Sequence, residues 1–165
     1  MGRLLSIIIV LAALAVPAAL AKHQPAARSD TNAAHLCKAQ RTSMGAKDFR
    51  SLWGTNKKRG NAFGNCVALT AQQQQENVQS AEEQCRTERA GDRDAFAQKY
   101  GSFGKCVSQT AKAKSQEEQT ATLNAAKACK AERAHDPAAF RDTYATKHSK
   151  RSAFGKCVSA RVKQR

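Results

Sequence analysis

The chain has 165 residues, with 28 Lys and Arg against 13 Asp and Glu for a net charge of +15, and only 5% of its residues are aromatic. Most of its 41% hydrophobic residues are alanine or fall in the first 21 positions, which excludes a large apolar core. A chain with so little to bury needs covalent support.

The first residues read as a Sec signal peptide. Arg3 supplies the positive start, Leu4 to Ala15 is apolar apart from Ser6, Pro17 breaks the helix, and Ala19-Leu20-Ala21 is an A-x-A cleavage site. The apolar run is short for a membrane span, which takes about 20 residues, and no second run follows. No cysteine stands at the cleavage point to take a lipid. Cleavage after Ala21 removes Arg3, leaving 27 basic against 13 acidic residues and a net +14. The expected location is therefore secreted, extracytoplasmic, with no transmembrane segment once the signal is gone. Residues 22–32 carry Pro25, small residues and no pattern, and read as a flexible lead.

Beyond the lead, one pattern occurs three times. A cysteine (Cys37, Cys85, Cys129) has Ala four residues before it (Ala33, Ala81, Ala125) and Arg four residues after it (Arg41, Arg89, Arg133). A phenylalanine follows (Phe49, Phe96, Phe140), with Trp53, Tyr100 or Tyr144 four residues on. A basic loop then leads to a Phe-Gly-x-Cys-Val segment containing Phe63 and Cys66, Phe103 and Cys106, or Phe154 and Cys157. In the middle copy the loop is seven residues shorter. These are i, i+3, i+4 spacings, which belong to helix faces. Gly45 and Gly91 stand where the first helix of a unit stops. Asp92 and Asp136-Pro137 cap the short helix that follows, and Asn61, Ser102 and Ser152 cap the Phe-Gly-x-Cys helices. No period-2 alternation appears, so no sheet is expected.

The helical signal runs on between copies, over 62–90 and 103–134, at about 1.5 Å per residue. The middles of these stretches are polar, at Gln72 to Gln75 and at Lys112 to Glu118. A sparse stripe of Val67, Ala71, Gln74, Val78, Ala81 and Cys85 suggests loose packing, or helices standing partly alone. The expected fold is all-α: three disulfide-stapled helical hairpins over 33–68, 81–108 and 125–160. Polar connectors at 69–80 and 109–124 join them, and a basic tail covers 161–165.

Six cysteines in a small exported chain point to disulfides. On a straight helix Cys66 and Cys85 lie about 28 Å apart and Cys106 and Cys129 about 35 Å apart, against a limit of about 7 Å between bridged Cα atoms. The threefold pattern favours Cys37–Cys66, Cys85–Cys106 and Cys129–Cys157. If the long helices fold back on each other, Cys66 and Cys129 also come close.

Few residues point to chemistry. Arg41, Arg89 and Arg133 can cover a small core with the guanidinium stacked on Trp53, Tyr100 or Tyr144, or form an anion site three times over; the structural reading is preferred. The glycine after each Phe allows close approach of a partner helix. His23, His35, His135 and His148 lack metal-ligand spacing. No nucleophile motif, unpaired cysteine or Gly-rich phosphate loop is present. Asp92 and Asp94 read as capping, and Glu82 and Glu83 as a solvated face. Neither an enzyme nor a cofactor is expected. Lys57, Lys58 and Arg59 in one loop, and Lys147, Lys150 and Arg151 in another, form a candidate polyanion footprint. Its expected partner is an anionic envelope polymer, with no specific nucleic acid.

The third copy carries a resemblance. Cys129-Lys130-Ala131-Glu132-Arg133, Asp136-Pro137-Ala138-Ala139-Phe140, Tyr144, and Ser152-Ala153-Phe154-Gly155-Lys156-Cys157-Val158 resemble a motif of uncharacterised secreted bacterial proteins, associated with high-GC Gram-positive groups. The resemblance covers all three copies. The first departs from it with Gln40 for Glu and no Asp-Pro, and the second lacks most of the loop. It implies export and no particular activity. The sequence thus leads to a non-catalytic protein binding or spacing at the cell envelope through basic surfaces. A cationic membrane-active protein and a partner-binding scaffold or inhibitor are the alternatives.

Overall fold

The computed structural model describes residues 32–145 and 153–164. Among these there are seven helices and no strand: α1 (Ala33–Met44), α2 (Ala46–Trp53), α3 (Ala62–Gly91), α4 (Arg93–Tyr100), α5 (Phe103–His135), α6 (Pro137–Tyr144) and α7 (Ala153–Lys163). The expected signal peptide, most of the lead, Lys147, Lys150, Arg151 and Ser152 fall outside the described residues. Among the described residues no helix is long and apolar enough to cross a membrane.

The helix ends follow from local chemistry. Side-chain oxygens of Asn32, Asp92, Ser102 and Asp136 accept backbone N–H groups in the first turns of α1, α4, α5 and α6, satisfying donors that a helix cannot satisfy internally. Pro137 opens α6, where its missing N–H costs nothing. Gly45 separates α1 from α2 at φ 86°, a left-handed value suited to glycine. Asn61 departs from expectation and makes no side-chain cap for α3. Its Oδ1 accepts the N–H groups of Thr55 and Asn56 instead, and its Nδ2 donates to Thr55 Oγ1, so it secures the preceding loop.

The three disulfides are Cys37–Cys66, Cys85–Cys106 and Cys129–Cys157, with Cα–Cα distances of 6.0, 6.1 and 6.0 Å. Their sulfurs fix the rotation of α3 and α5, and through them the packing. The two long helices do not stand apart, and only Gln74, Ala81 and Cys85 of the expected stripe lie on the inward line. They run antiparallel side by side, bringing Gln73 to Glu118, Asn77 to Ser115 and Cys85 to Cys106. Ala71 of the expected stripe is exposed, and Val67 and Val78 are half-buried. The inward line of α3 runs from Cys66 to Cys85 through half-buried Thr70 and Gln74 and buried Asn77 and Ala81. The buried residues of α5 are Cys106, Ala111, Ser115, Ala121, Ala125, Ala126 and Cys129. Both cysteines of α3 must face inward, so the face containing them wins over the valines.

Midway along, the seam is polar. Asn77 Nδ2 donates to Ser115 Oγ at 3.1 Å and to Glu118 Oε2 at 2.8 Å, and Gln73 Nε2 donates to Glu118 Oε1 at 3.1 Å. Asn77 and Ser115 are 5% and 8% exposed, so these bonds replace water that the seam excludes.

Folding back places the first and third copies together and the middle copy alone. The larger of two cores joins α1, α2, the start of α3, the end of α5, α6 and α7, around Cys37, Phe49, Cys66, Cys129, Phe140, Phe154, Cys157 and Val158. Cys66 and Cys129 belong to this same core, each bonded to its own partner. At the far end of the hairpin a small core holds Cys85, Phe96 and Cys106, covered by Tyr100, Phe103 and Val107.

Candidate functional site

The third segment docks on the first through an ion pair and a glycine contact. Arg133 on α5 donates from Nη1 and Nη2 to the two carboxylate oxygens of Asp48 on α2, at 2.8 and 3.0 Å, and its guanidinium lies 4.9 Å from the Phe154 ring centre. Both oxygens of a nearly buried carboxylate are thereby satisfied. Gly155 of α7 approaches the end of α2 so closely that a Cβ there would stand 2.8 Å from the Ser51 carbonyl oxygen. The other two glycines of the Phe-Gly-x-Cys segments behave differently, since a Cβ on Gly64 or Gly104 would meet nothing. Close approach explains only the third copy.

The repeated arginine also differs from expectation. Arg133 stacks on Phe154 rather than Tyr144, whereas Arg41 and Arg89 are exposed. The residue that reaches the ring four positions after the Phe is the one just before each Arg. Tyr100 Oη donates to Glu88 Oε2 at 3.0 Å, Tyr144 Oη to Glu132 Oε2 at 3.3 Å, and Trp53 Nε1 to Gln40 Oε1 at 3.1 Å. The donor, a hydroxyl or an indole N–H, changes together with its acceptor. A cation closes two of these sites: Lys99 on Glu88 at 2.6 Å and Arg161 on Glu132 at 2.8 Å. The hydrogen bond from Lys99, with a further one from Tyr100, holds the Glu88 carboxyl below its ordinary value, and Glu88 raises Lys99 in return. Glu132 likewise raises Arg161. Each of these contacts ties a short helix or α7 to the long helix that carries the acceptor, or α2 to α1. The aromatics divide by depth. Phe154 is buried, Phe103 is half-buried over the far core, and Phe63 is 39% exposed, its ring centre 6.5 Å from that of Phe49.

The α2–α7 contact leaves an open groove of about 480 Å³ above it, lined by Ser51, Leu52, Gly54, Arg59, Gly155, Lys156, Ser159, Ala160 and Lys163. A second groove of about 700 Å³ continues from it, lined by Lys47, Arg50, Ser51, Lys57, Lys58 and Arg59. The two share Ser51 and Arg59. Their lining includes seven cationic side chains and no acidic one, and the nearby acid of α2, Asp48, is turned inward to Arg133.

Arg59 is the fulcrum of this surface. Its φ is 55°, a left-handed conformation costing a non-glycine residue about 1 kcal/mol or more. Its N–H donates to the Asn56 carbonyl, and its Nη1 donates to the Ser51 carbonyl at 2.8 Å. Gly54 makes room beneath it, since a Cβ at that position would lie 2.5 Å from Arg59 Cβ. The chain thus accepts an unfavourable backbone to hold one guanidinium at the residues the two grooves share, with Nη1 the donor bonded to the Ser51 carbonyl.

Lys57, Lys58 and Arg59 of the sequence-derived footprint lie in this surface, while Lys147, Lys150 and Arg151 are outside the described residues. Lys156 and Lys163 belong to the basic stretch that follows the last acid, Asp142, but sequence reasoning did not join them to this loop, and it missed Lys47 and Arg50. Lys47 and Arg50 are spaced for one helix face, a signal that was available. The juxtaposition of α7 with α2 was not. Among the described residues no three His, Cys, Asp or Glu side chains gather into a metal-sized cluster. The chain matches no protein family, no curated protein and no solved structure.

Proposed function

We propose that this is a secreted, non-catalytic protein that binds or spaces at the cell envelope by holding anionic polymers against its basic surface. In this reading the chain is three disulfide-pinned helical hairpins sharing two long helices, exported through the signal peptide ending at Ala21. The observation that carries it is the continuous acid-free surface of Lys47, Arg50, Lys57, Lys58, Arg59, Lys156 and Lys163. Seven cations with no compensating carboxylate create a positive potential that raises the local concentration of polyanions. The three buried disulfides fit an oxidising compartment outside the cytoplasm. A membrane-disrupting role has less support, because Phe63 and Leu69 are the only large hydrophobic side chains exposed among the described residues, and bilayer insertion needs a continuous apolar face.

The test is chromatography of the mature, oxidised protein on heparin or phosphocellulose. Retention at low salt and elution that moves steeply with ionic strength are expected, as charge–charge contacts at a surface are screened within about 10 Å at 0.1 M salt. Failure to bind, or elution indifferent to salt, refutes the reading.

A further inference from the structure

We infer that the two grooves form one two-walled cleft for a single strand of a linear oxyanion polymer, phosphate- or sulfate-bearing, and that the cleft exists only while α7 is docked on α2. This rests on the polyanion reading above and specifies its site. In the first groove α2 and Arg59 face α7, which carries Lys156 and Lys163; the wall formed by α2 and its loop continues past Arg59 into the second groove, where it carries Lys57 and Lys58. Between them the floor is low. Gly54 and Gly155 have no side chains, and Ser51 and Ser159 add hydroxyl groups that can bond to oxyanions. Arg59 stands where the grooves join, fixed to the Ser51 carbonyl through Nη1. Its remaining donors form a planar fork that suits the paired oxygens of phosphate or sulfate.

The walls belong to segments closed by different disulfides, Cys37–Cys66 and Cys129–Cys157. Their separation is set by the Gly155–Ser51 approach and by the Asp48–Arg133 pair. A ligand spanning both walls therefore reads the docking as well as the charge. Gly155 serves the floor and the docking together: a methyl group in its place would meet the Ser51 carbonyl oxygen and push α7 away from α2.

The experiment measures binding of fluorescein-labelled linear polyphosphate, and separately of heparin, to the mature protein at low salt. Variants are Lys57→Glu for one wall, Lys156→Glu for the other, Gly155→Ala for the docking, and Lys112→Glu, an exposed residue of the long hairpin, as control. Lys57→Glu and Lys156→Glu should each weaken binding about tenfold, and Lys112→Glu less than about twofold. Gly155→Ala, which alters no charge, should weaken it several-fold with far-UV circular dichroism preserved. If Gly155→Ala fails to fold, the comparison of Lys156→Glu with Lys112→Glu decides alone. Wild-type affinity in Lys156→Glu beside weak binding in Lys57→Glu overturns the two-walled cleft while leaving the polyanion reading intact. Equal losses in Lys57→Glu, Lys156→Glu and Lys112→Glu overturn any localised site. No binding of either polymer by the wild type overturns both. A preference for one polymer identifies the oxyanion.

Discussion

Removing either partner of the Asp48–Arg133 pair should have unequal effects, and the inequality tests how the first and third segments are joined. The Asp48 side chain is 6% exposed and that of Arg133 32%. In Arg133→Met the carboxylate loses both of its donors, at 2.8 and 3.0 Å, inside a packed interface. Stranding a buried charge in this way costs about 3 to 5 kcal/mol. In Asp48→Asn the guanidinium keeps one acceptor, reaches water over its exposed third, and retains the Phe154 ring at 4.9 Å. The expected loss is about 1 to 2 kcal/mol. Replacing both, as Asp48→Leu with Arg133→Met, removes the charge and its desolvation together and should fall within about 1 kcal/mol of wild type. Urea unfolding with the disulfides intact, followed by far-UV circular dichroism, gives all three values from shifts in midpoint at constant slope. Equal losses in the two single variants, or a double variant as unstable as Arg133→Met, would show that Asp48 is hydrated and that the pair does not define the interface.

Three further outcomes follow from the described geometry. Replacing Cys85 and Cys106 by serine removes a closure spanning 21 residues at a cost of about 3 kcal/mol; hydrogen exchange should rise across α4 and the adjoining ends of α3 and α5, and uniform acceleration across α1 and α7 would refute an independent far end. The Glu88–Lys99 pair ties α3 to α4 through charge. Because the Glu88 carboxyl is lowered from 4.5, its contribution is full above that pH and disappears as pH falls through the folded-state value beneath it; Lys99, raised from 10.5, contributes below that pH and stops contributing as pH climbs through its folded-state value. The Tyr100 ring resonances should therefore move in acid, and an unchanged spectrum in Glu88→Gln at neutral pH would contradict the contact. Asn77→Ala, which removes two seam hydrogen bonds, should lower stability by about 1 to 2 kcal/mol, measured in the same urea assay; no change would mean that water already occupies the seam.

What could be read from the residues was local. Capping at Asp92, Ser102 and Asp136, the extent of α3 and α5, and the disulfide pairing all depend on separations along one strand of chain. The return of α5 along α3 stayed one alternative among others because its seam is written in Ala81, Ala111, Ala121, Asn77 and Ser115, residues that give no apolar heptad. Arg133 was read as a ring cover because its partner Asp48 is 85 residues away and lacks a counterpart in the other copies, where Ala95 and Ala139 occupy the equivalent position. The Gln40–Trp53, Glu88–Tyr100 and Glu132–Tyr144 pairs were discoverable, since the chain's own copies change donor and acceptor together. The cleft was half legible: its loop wall lies in one basic run, and its other wall arrives only through folding.

All six bonded sulfurs have no exposed surface. A thiol reagent in the medium must approach a sulfur along the S–S axis, and here neighbouring side chains block that route until the helices separate. Reduction is then gated by how often the protein breathes, so its lifetime in a reducing or protease-rich setting is a rate property of the intact fold. The three bonds should be lost in order of local opening, with the solitary far-end bridge, sheltered by the smallest core, yielding first.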